Sequence, residues 1–130
     1  MKPVLVLSAI LLSQPVLAQD TSPQALVDQY SAEAGAAPSP KNGRALFTVN
    51  HASGKPHTPS CVTCHSADPT KGGQARTGKP IDPLVPRVNS ERFTDMKFVE
   101  KWFGRNCNSV LGRDCSAQEK ADIISWFMSL

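Results

Sequence analysis

Apolar residues recur at helical spacing in four segments of the chain after residue 20, and no segment shows the alternation of apolar and polar residues that is typical of a strand. The first predicted helix begins at Ser22, with Pro23 in its first turn, and ends at Gly35. Its apolar face consists of Leu26, Val27 and Tyr30. Ser39 and Pro40 begin a second short helix with the same pair of signals.

Two further helices are predicted in the C-terminal third of the chain. Thr94 and Asp95 begin one of them, and Gly104 is expected to end it. Its apolar stripe consists of Phe98, Val99, Trp102 and Phe103. The last helix begins with a capping box formed by Ser116 and Glu119. The pattern therefore predicts an all-α, single-domain fold with loops rich in Gly and Pro between the helices.

Gly43 and Phe47 lie one helical turn apart in the second predicted helix. A glycine at that place lets this helix approach the C-terminal helix closely, and Phe47 is then expected to pack near Trp126 or Phe127. We therefore expect the N-terminal and C-terminal helices to cross.

Residues 1–18 have the pattern of a cleaved signal peptide. Lys2 supplies a positive start, an apolar run covers residues 4–12, and small or aliphatic residues occupy positions 16–18. The apolar run is too short to span a bilayer, so no stable membrane insertion is expected. We expect residues 19–130 to form one domain in the periplasm.

A CxxCH motif spans residues 61–65. In an exported chain this motif is the attachment site of a c-type haem. On one helical turn the thiols of Cys61 and Cys64 reach the two vinyl groups of a porphyrin, and the imidazole of His65 ligates the iron. The motif therefore predicts one covalent haem c with His65 on one face of the iron. The ligand on the opposite face has to be found elsewhere in the chain.

The charge balance is mildly basic. The chain has 14 Lys and Arg against 11 Asp and Glu, and without Lys2 the count is 13 against 11, a net charge of +2 before haem is added. There is no dense basic run with interleaved aromatic residues, so nucleic acid is not an expected partner. Scattered cations of this kind solvate the surface or steer a small acidic redox partner.

Two of the four cysteines lie outside the haem motif: Cys107 and Cys115, with seven residues between them. In an oxidising compartment paired thiols become disulfides, so a disulfide between these two is the favoured interpretation. A zinc site built from all four cysteines is the alternative. Export and the histidine that directly follows the first pair favour haem.

With its haem motif and its crossed helices, the chain resembles the class I cytochromes c. Their sixth ligand is usually a methionine from a loop shortly before the C-terminal helix. Here that segment, residues 104–115, contains no methionine but has Asn106 and Asn108 on either side of Cys107. An amide oxygen is a hard ligand that suits ferric iron. The asparagines can equally serve a turn.

Four other side chains are candidates for the sixth ligand: Met96, Met128, His51 and His57. The two methionines lie on predicted helices, where packing is the usual role of methionine. The two histidines lie in a Gly- and Pro-rich loop ahead of the haem motif, from which one of them can in principle reach the iron. All four alternatives stay open at this point.

The most specific resemblance is in the C-terminal half of the chain. Residues 105–115, with residues 99–103 before them and residues 119–122 after them, resemble the Sphaeroides haem protein family. The similarity extends through residues 88–95 and covers roughly residues 43–130. The family comprises small exported class I cytochromes c that have one covalent haem, an asparagine as sixth ligand and a disulfide beside it.

The resemblance implies a role for individual residues by position. It assigns the sixth ligand to Asn106 rather than Asn108, a choice that spacing alone does not make. The other implied site residues are the haem cysteines Cys61 and Cys64, the proximal ligand His65, and the disulfide of Cys107 with Cys115. It also implies diatomic gases as ligands and a dihaem cytochrome c as the electron donor.

A functional hypothesis follows from the softness of the ligands. One-electron reduction weakens the bond between iron and the Asn106 oxygen, Asn106 dissociates, and ferrous haem binds oxygen, nitric oxide or carbon monoxide. One alternative is an ordinary low-spin electron carrier with Met96 as sixth ligand. Another is an enzyme that detoxifies nitric oxide with oxygen, so enzymatic turnover stays an open question.

Several side chains are expected to support the haem. The second ring nitrogen of His65 is expected to donate to a proline carbonyl, that of Pro80 or Pro83. Candidate partners of the haem propionates are Arg87, Arg92 and Trp102. Surface arginines and a core tryptophan explain these three equally well.

Overall fold

The computed structural model describes residues 19–130, so the predicted signal peptide lies outside the described residues. The helices are α1 (Pro23–Ala34), α2 (Pro40–Thr48), α3 (Val62–His65), α4 (Met96–Leu111) and α5 (Ala117–Met128). A two-stranded antiparallel hairpin, which the sequence did not predict, pairs β1 (Gly73–Gln74) with β2 (Pro80–Ile81). The predicted all-α class is otherwise confirmed. No helix within residues 19–130 is long and apolar enough to cross a membrane.

The predicted starts of α1 and α2 are confirmed. The hydroxyls of Ser22 and Ser39 each accept a backbone N–H from three residues further on, at 3.2 Å, and a proline follows each serine. This arrangement satisfies an N–H group that a helix otherwise leaves unpaired. Helix α1 ends as predicted at Gly35, whose φ of 68° is the left-handed conformation that glycine favours.

The predicted end of α4 is wrong. The helix continues through Gly104 and ends at Gly112, whose φ is 70°. A glycine inside a helix costs about 1 kcal/mol relative to alanine, which the burial of later apolar side chains exceeds. Those side chains are Cys107, Val110 and Leu111. Residues 104–111 of the segment predicted to be a ligand loop are therefore the last two turns of a helix, and both Asn106 and Asn108 are helical.

Helix α5 is the centre of the core, because α1 and α2 both pack on it. The close approach predicted at Gly43 is confirmed: a Cβ atom added there would lie 2.0 Å from the backbone oxygen of Asp122. Phe47 packs edge-on against Trp126 and Phe127, with ring centroids 5.4 Å and 5.3 Å away. The α2–α5 contact thus fixes the positions of Phe47 and Phe127, which both line the cavity between the helices.

We expect replacement of Gly43 by alanine to destabilise the protein. The added methyl group overlaps the backbone of α5, which cannot move without disturbing the core, and overpacking of this kind costs about 1–3 kcal/mol. Gly104→Ala is the matched control, because nothing lies within 4 Å of the added Cβ, and helix propensity then favours alanine by about 0.5–1 kcal/mol. Urea unfolding of the two variants should show opposite signs. Equal stability of the two variants would contradict the close α2–α5 contact at Gly43.

The predicted capping box at the start of α5 is confirmed. Ser116 Oγ accepts the backbone N–H of Glu119 at 3.2 Å, and Glu119 Oε2 accepts the N–H of Ser116 at 2.8 Å. The guanidinium of Arg113 donates to both carboxylate oxygens of Glu119, each at 2.8 Å. These hydrogen bonds, chiefly those from Arg113, hold the pKa of Glu119 below its usual range.

A lowered carboxyl pKa makes the cap sensitive to acid. The stabilisation is complete above the ordinary pKa of a glutamate and is lost as pH falls through the lowered folded-state value. We expect Glu119→Gln to be less stable than the parent at pH 7 by about 0.5–1 kcal/mol. The difference should shrink as the pH is lowered below about 4.5. Urea unfolding of both proteins between neutral and acid pH measures it, and a constant difference would contradict the assignment.

Candidate functional site

A cavity of about 440 Å³ lies between the helices and the hairpin. Most of its walls are apolar, with side chains such as Leu46, Phe47, Leu84, Phe93, Val110 and Ile123. The volume is in the range that holds a cofactor. The three functional residues of the CxxCH motif all line this cavity, as does Asn106.

Helix α3 presents the haem motif to the cavity. Cys61 and Cys64 are both free thiols, half-buried, one turn apart along the helix. Burial raises the pKa of Cys61 to about 11, so this thiol stays protonated at neutral pH. Gly73 of β1 passes directly over α3, where an added Cβ would lie 1.9 Å from the carbonyl oxygen of Cys64. The hairpin therefore supports the haem motif, a role for which the sequence contains no local signal.

His65 and Asn106 face each other across the cavity. The Nδ2 atom of Asn106 lies 3.5 Å from the Nε2 atom of His65. A half-turn of the Asn106 amide exchanges its nitrogen and oxygen, so either atom can point at the histidine. Burial, with the nearby charge of Arg92, lowers the pKa of His65 to about 4, which leaves the ring neutral at pH 7. A neutral imidazole opposite an amide oxygen is a donor pair suited to iron.

The two asparagines of α4 have different surroundings. Asn108 is exposed, and its Nδ2 donates to the carbonyl of Gly104 at 2.8 Å and to Oδ1 of Asp114 at 2.5 Å. Asn108 does not line the cavity, whereas Asn106 is half-buried in its wall. The structure thus separates two residues that sequence spacing left equivalent.

None of the other four candidate ligands lines the cavity. Met96 packs with the cluster that joins α1 to α5. Met128 is 39% exposed at the end of α5. The Nε2 atom of His51 lies 2.9 Å from the carbonyl oxygen of Leu46, and His57 is exposed.

Two attachments hold the last turns of α4. Cys107 and Cys115 form a disulfide with a Cα–Cα distance of 5.5 Å, which joins α4 to the start of α5. The second attachment is at Ser109, whose carbonyl accepts the backbone N–H of Lys55 at 2.7 Å and the hydroxyl of Thr58 at 3.1 Å. This second attachment, made by the Gly- and Pro-rich loop ahead of the haem motif, was not predicted, because hydrogen bonds across 51 residues leave no local signal in the sequence.

The residues expected to support the haem are only partly where they were predicted. The buried Nδ1 atom of His65 has no hydrogen-bond partner in the described part of the chain. The carbonyl of Pro83 instead accepts Nε of Arg92, at 2.8 Å. Arg92 and Trp102 line the cavity, but Arg87 does not; it donates to the terminal residue Leu130 at 3.0 Å and 2.7 Å.

The residues present fit a covalent haem c. Two thiols spaced for the vinyl groups, a neutral imidazole and an apolar cavity are the parts that this cofactor needs. A four-cysteine zinc site does not fit, because Cys107 and Cys115 are joined in a disulfide. Within residues 19–130 no group of three or more His, Cys, Asp and Glu side chains is placed to hold a metal ion. The fold and site therefore define a c-type cytochrome with a single haem.

Comparisons with known proteins identify the family to which this chain belongs. A family model described as a domain of unknown function (DUF1924) matches residues 33–127. The cytochrome c-type protein SHP of Cereibacter sphaeroides is 57% identical over 122 residues, and the match covers 94% of each chain. Cytochrome c'' of Methylophilus methylotrophus is 36% identical over 135 residues, with 98% of this chain and 94% of the relative covered. The chain belongs to the Sphaeroides haem protein family, and its cofactor is one haem c.

Solved structures confirm the predicted class I cytochrome c fold. Oxidised SHP, described as an oxygen-binding cytochrome c, matches with a TM-score of 0.83 at 56% identity, covering 85% of this chain and 99% of that one. Oxidised cytochrome c'' from Methylophilus methylotrophus matches with a TM-score of 0.72 at 37% identity, covering 82% of this chain and 93% of that one.

Proposed function

We propose that this protein is a periplasmic cytochrome that binds a diatomic gas when it is reduced, with Asn106 as a ligand that responds to the redox state. When bound, haem c supplies a one-electron couple and an iron position that a gas can occupy. His65 would hold one face of the iron in both redox states. Asn106 would hold the other face in the oxidised protein and would leave it on reduction, because its hard oxygen suits ferric better than ferrous iron.

The observation that carries this proposal is the position of Asn106 opposite His65, at 3.5 Å. No methionine or second histidine among the described residues lines the cavity, so neither of the usual strong-field partners of a haem histidine is at hand. The relatives support the same function: one solved structure is described as an oxygen-binding cytochrome c, and a solution structure of cytochrome c'' is described as giving insight into haem-ligand detachment.

The attachments of α4 indicate which part of Asn106 moves. The disulfide of Cys107 and the hydrogen bonds to the Ser109 carbonyl fix the helix backbone directly after Asn106. Dissociation is therefore a rotation of the Asn106 side chain rather than a shift of the helix. Rotation leaves the amide NH2 inside the cavity, where it can donate to a bound gas molecule.

Binding is favoured over enzymatic turnover by the lining of the cavity. Among the described lining residues the only carboxylate is that of Asp82, which is exposed at the mouth. The interior beside Asn106 offers no carboxylic acid for proton transfer to bound oxygen. We accordingly propose gas binding and electron uptake as the function, with another exported c-type cytochrome, such as a dihaem cytochrome c, as the electron donor.

Carbon monoxide is the simplest test of the proposed function. The absorption spectrum of the holoprotein is recorded in the oxidised state, after reduction, and after carbon monoxide is added to the reduced protein. We expect a weak-field oxidised spectrum and rapid carbon monoxide binding upon reduction, because a labile amide leaves the iron accessible. A low-spin spectrum that carbon monoxide leaves unchanged would mean a strong permanent ligand and an ordinary electron carrier.

A pair of asparagine variants tests the ligand itself. We expect Asn106→Ala to change the oxidised spectrum and to raise the midpoint potential, by about 60 mV for each tenfold loss in the preference of the site for ferric iron. Asn108→Ala is the matched control, since it removes only the bonds to Gly104 and Asp114. It should lower the free energy of unfolding by about 1 kcal/mol and leave the spectrum intact. An unchanged oxidised spectrum in Asn106→Ala would exclude Asn106 as the ligand.

A further inference from the structure

The outer side of α4 combines basic and aromatic residues in two parallel rows. Lys97, Lys101 and Arg105 recur every four residues and are all exposed. Phe98 and Trp102 follow the same spacing one position later and are 46% and 39% exposed. Residues four apart lie above one another on a helix, so these five side chains form one continuous surface. We call it the α4 basic face.

The charge of the α4 basic face is not balanced. Within residues 19–130 none of its three cations forms a salt bridge. Glu100 lies on the same helix but points the other way, where its carboxylate accepts the Tyr30 hydroxyl and pairs with Lys120 at 2.8 Å. Unpaired like charges on one surface repel one another in the free protein. An anionic partner removes that cost and gains attraction.

Two of these cations lie over the ring of Trp102 in the aromatic row. Lys101 Nζ lies 5.4 Å from the centroid of the Trp102 ring, and Cζ of Arg105 lies 5.5 Å from it. The rings of Phe98 and Trp102 are 6.0 Å apart. An exposed tryptophan between two cations is the type of residue that contributes most binding energy in protein interfaces.

The α4 basic face also borders the mouth of the haem cavity. Phe98 and Trp102 are both exposed and both line the cavity, so they form one edge of its opening. The exposed Lys79 of the segment before β2 also lines the cavity. One turn beyond Trp102, in the same row, is Asn106. A partner seated on this face is therefore next to the opening of the cofactor site.

We propose that the α4 basic face docks an acidic surface of the redox protein that reduces this cytochrome. The inference rests on the proposed function, which requires an electron donor. The donor loses one electron and the haem gains it, and no bond is made or broken. Unpaired cations raise the rate of encounter with an anionic protein by 10-fold or more at low salt, and Trp102 supplies the apolar contact at the centre of the surface.

The experiment measures the rate at which an acidic electron-transfer protein reduces the oxidised holoprotein. The probe is fully reduced flavodoxin, followed by stopped-flow absorption. The test variant is Lys97→Glu with Lys101→Glu. The matched control is Lys41→Glu with Arg44→Glu, which changes the net charge equally at two exposed positions of α2 that do not line the cavity.

We expect the α4 variant to lose about tenfold in the second-order rate constant at about 10 mM salt and less than about twofold at about 300 mM, because salt screens the charges. The rate constant of the α2 variant should stay within about twofold of the parent value at both salt concentrations, because salt screens charges that lie far from the docked partner. Equal rate constants for the two variants would overturn the proposal, as would failure of flavodoxin to reduce the parent protein faster at low salt. A loss that is confined to binding anionic phosphatidylglycerol vesicles, with unchanged reduction rates, would assign the face to a membrane surface and would also overturn it.

The docking surface and the gas-binding function fail in different ways. Each variant is reduced with dithionite and mixed with carbon monoxide, and its oxidised spectrum is compared with that of the parent. Slower reduction by flavodoxin in the α4 variant, with carbon monoxide binding absent in every protein, would uphold the docking surface and overturn the proposed function. Normal carbon monoxide binding with equal reduction rates would do the reverse.

Discussion

The position of the last two turns of α4 is the constraint on which the rest of the site depends. These turns carry Asn106 into the cavity opposite His65. They are held by the disulfide between Cys107 and Cys115, which ties α4 to α5, and by residues 51–60, which supply donors to the Ser109 carbonyl. Because α1 and α2 also pack on α5, the position of Asn106 is fixed relative to the whole core.

A rigid backbone matters most for a weak ligand. An amide oxygen gains little by binding iron, so its bond is easily lost if holding the side chain in place also costs conformational entropy. With the helix fixed at Cys107 and Ser109, directly after Asn106, only side-chain torsions have to be ordered. In the proposed function, the same rigidity keeps the displaced amide close to the iron site, so that it can rebind after oxidation and donate to a bound gas before then.

Local signals predicted the parts of this fold that depend on neighbouring residues. The serine caps, Gly35 and the capping box of Ser116 act within one turn and were correct. Gly104 was misjudged because a glycine ends a helix only where the chain adopts a positive φ, and burial of the later apolar residues keeps α4 intact. Contacts between distant segments, such as Thr58 with Ser109, could not be predicted from a local pattern. Once α4 is known to be continuous, its spacing places Asn106 in the row of Trp102 and sets Asn108 apart.

Helix α4 also organises charge around the cofactor site. Away from the α4 basic face, Glu100 pairs with Lys120 and accepts a hydrogen bond from the hydroxyl of Tyr30, whose pKa is raised by burial and by that carboxylate. Ahead of α4 in the chain, Arg92 lines the cavity and is half-buried, and its pKa is lowered because burial leaves its charge poorly solvated. A poorly solvated cation beside the site favours addition of an electron. In the proposed function, Arg92 therefore opposes the preference for ferric iron that a hard asparagine ligand introduces, and the balance of the two effects sets how readily Asn106 is released.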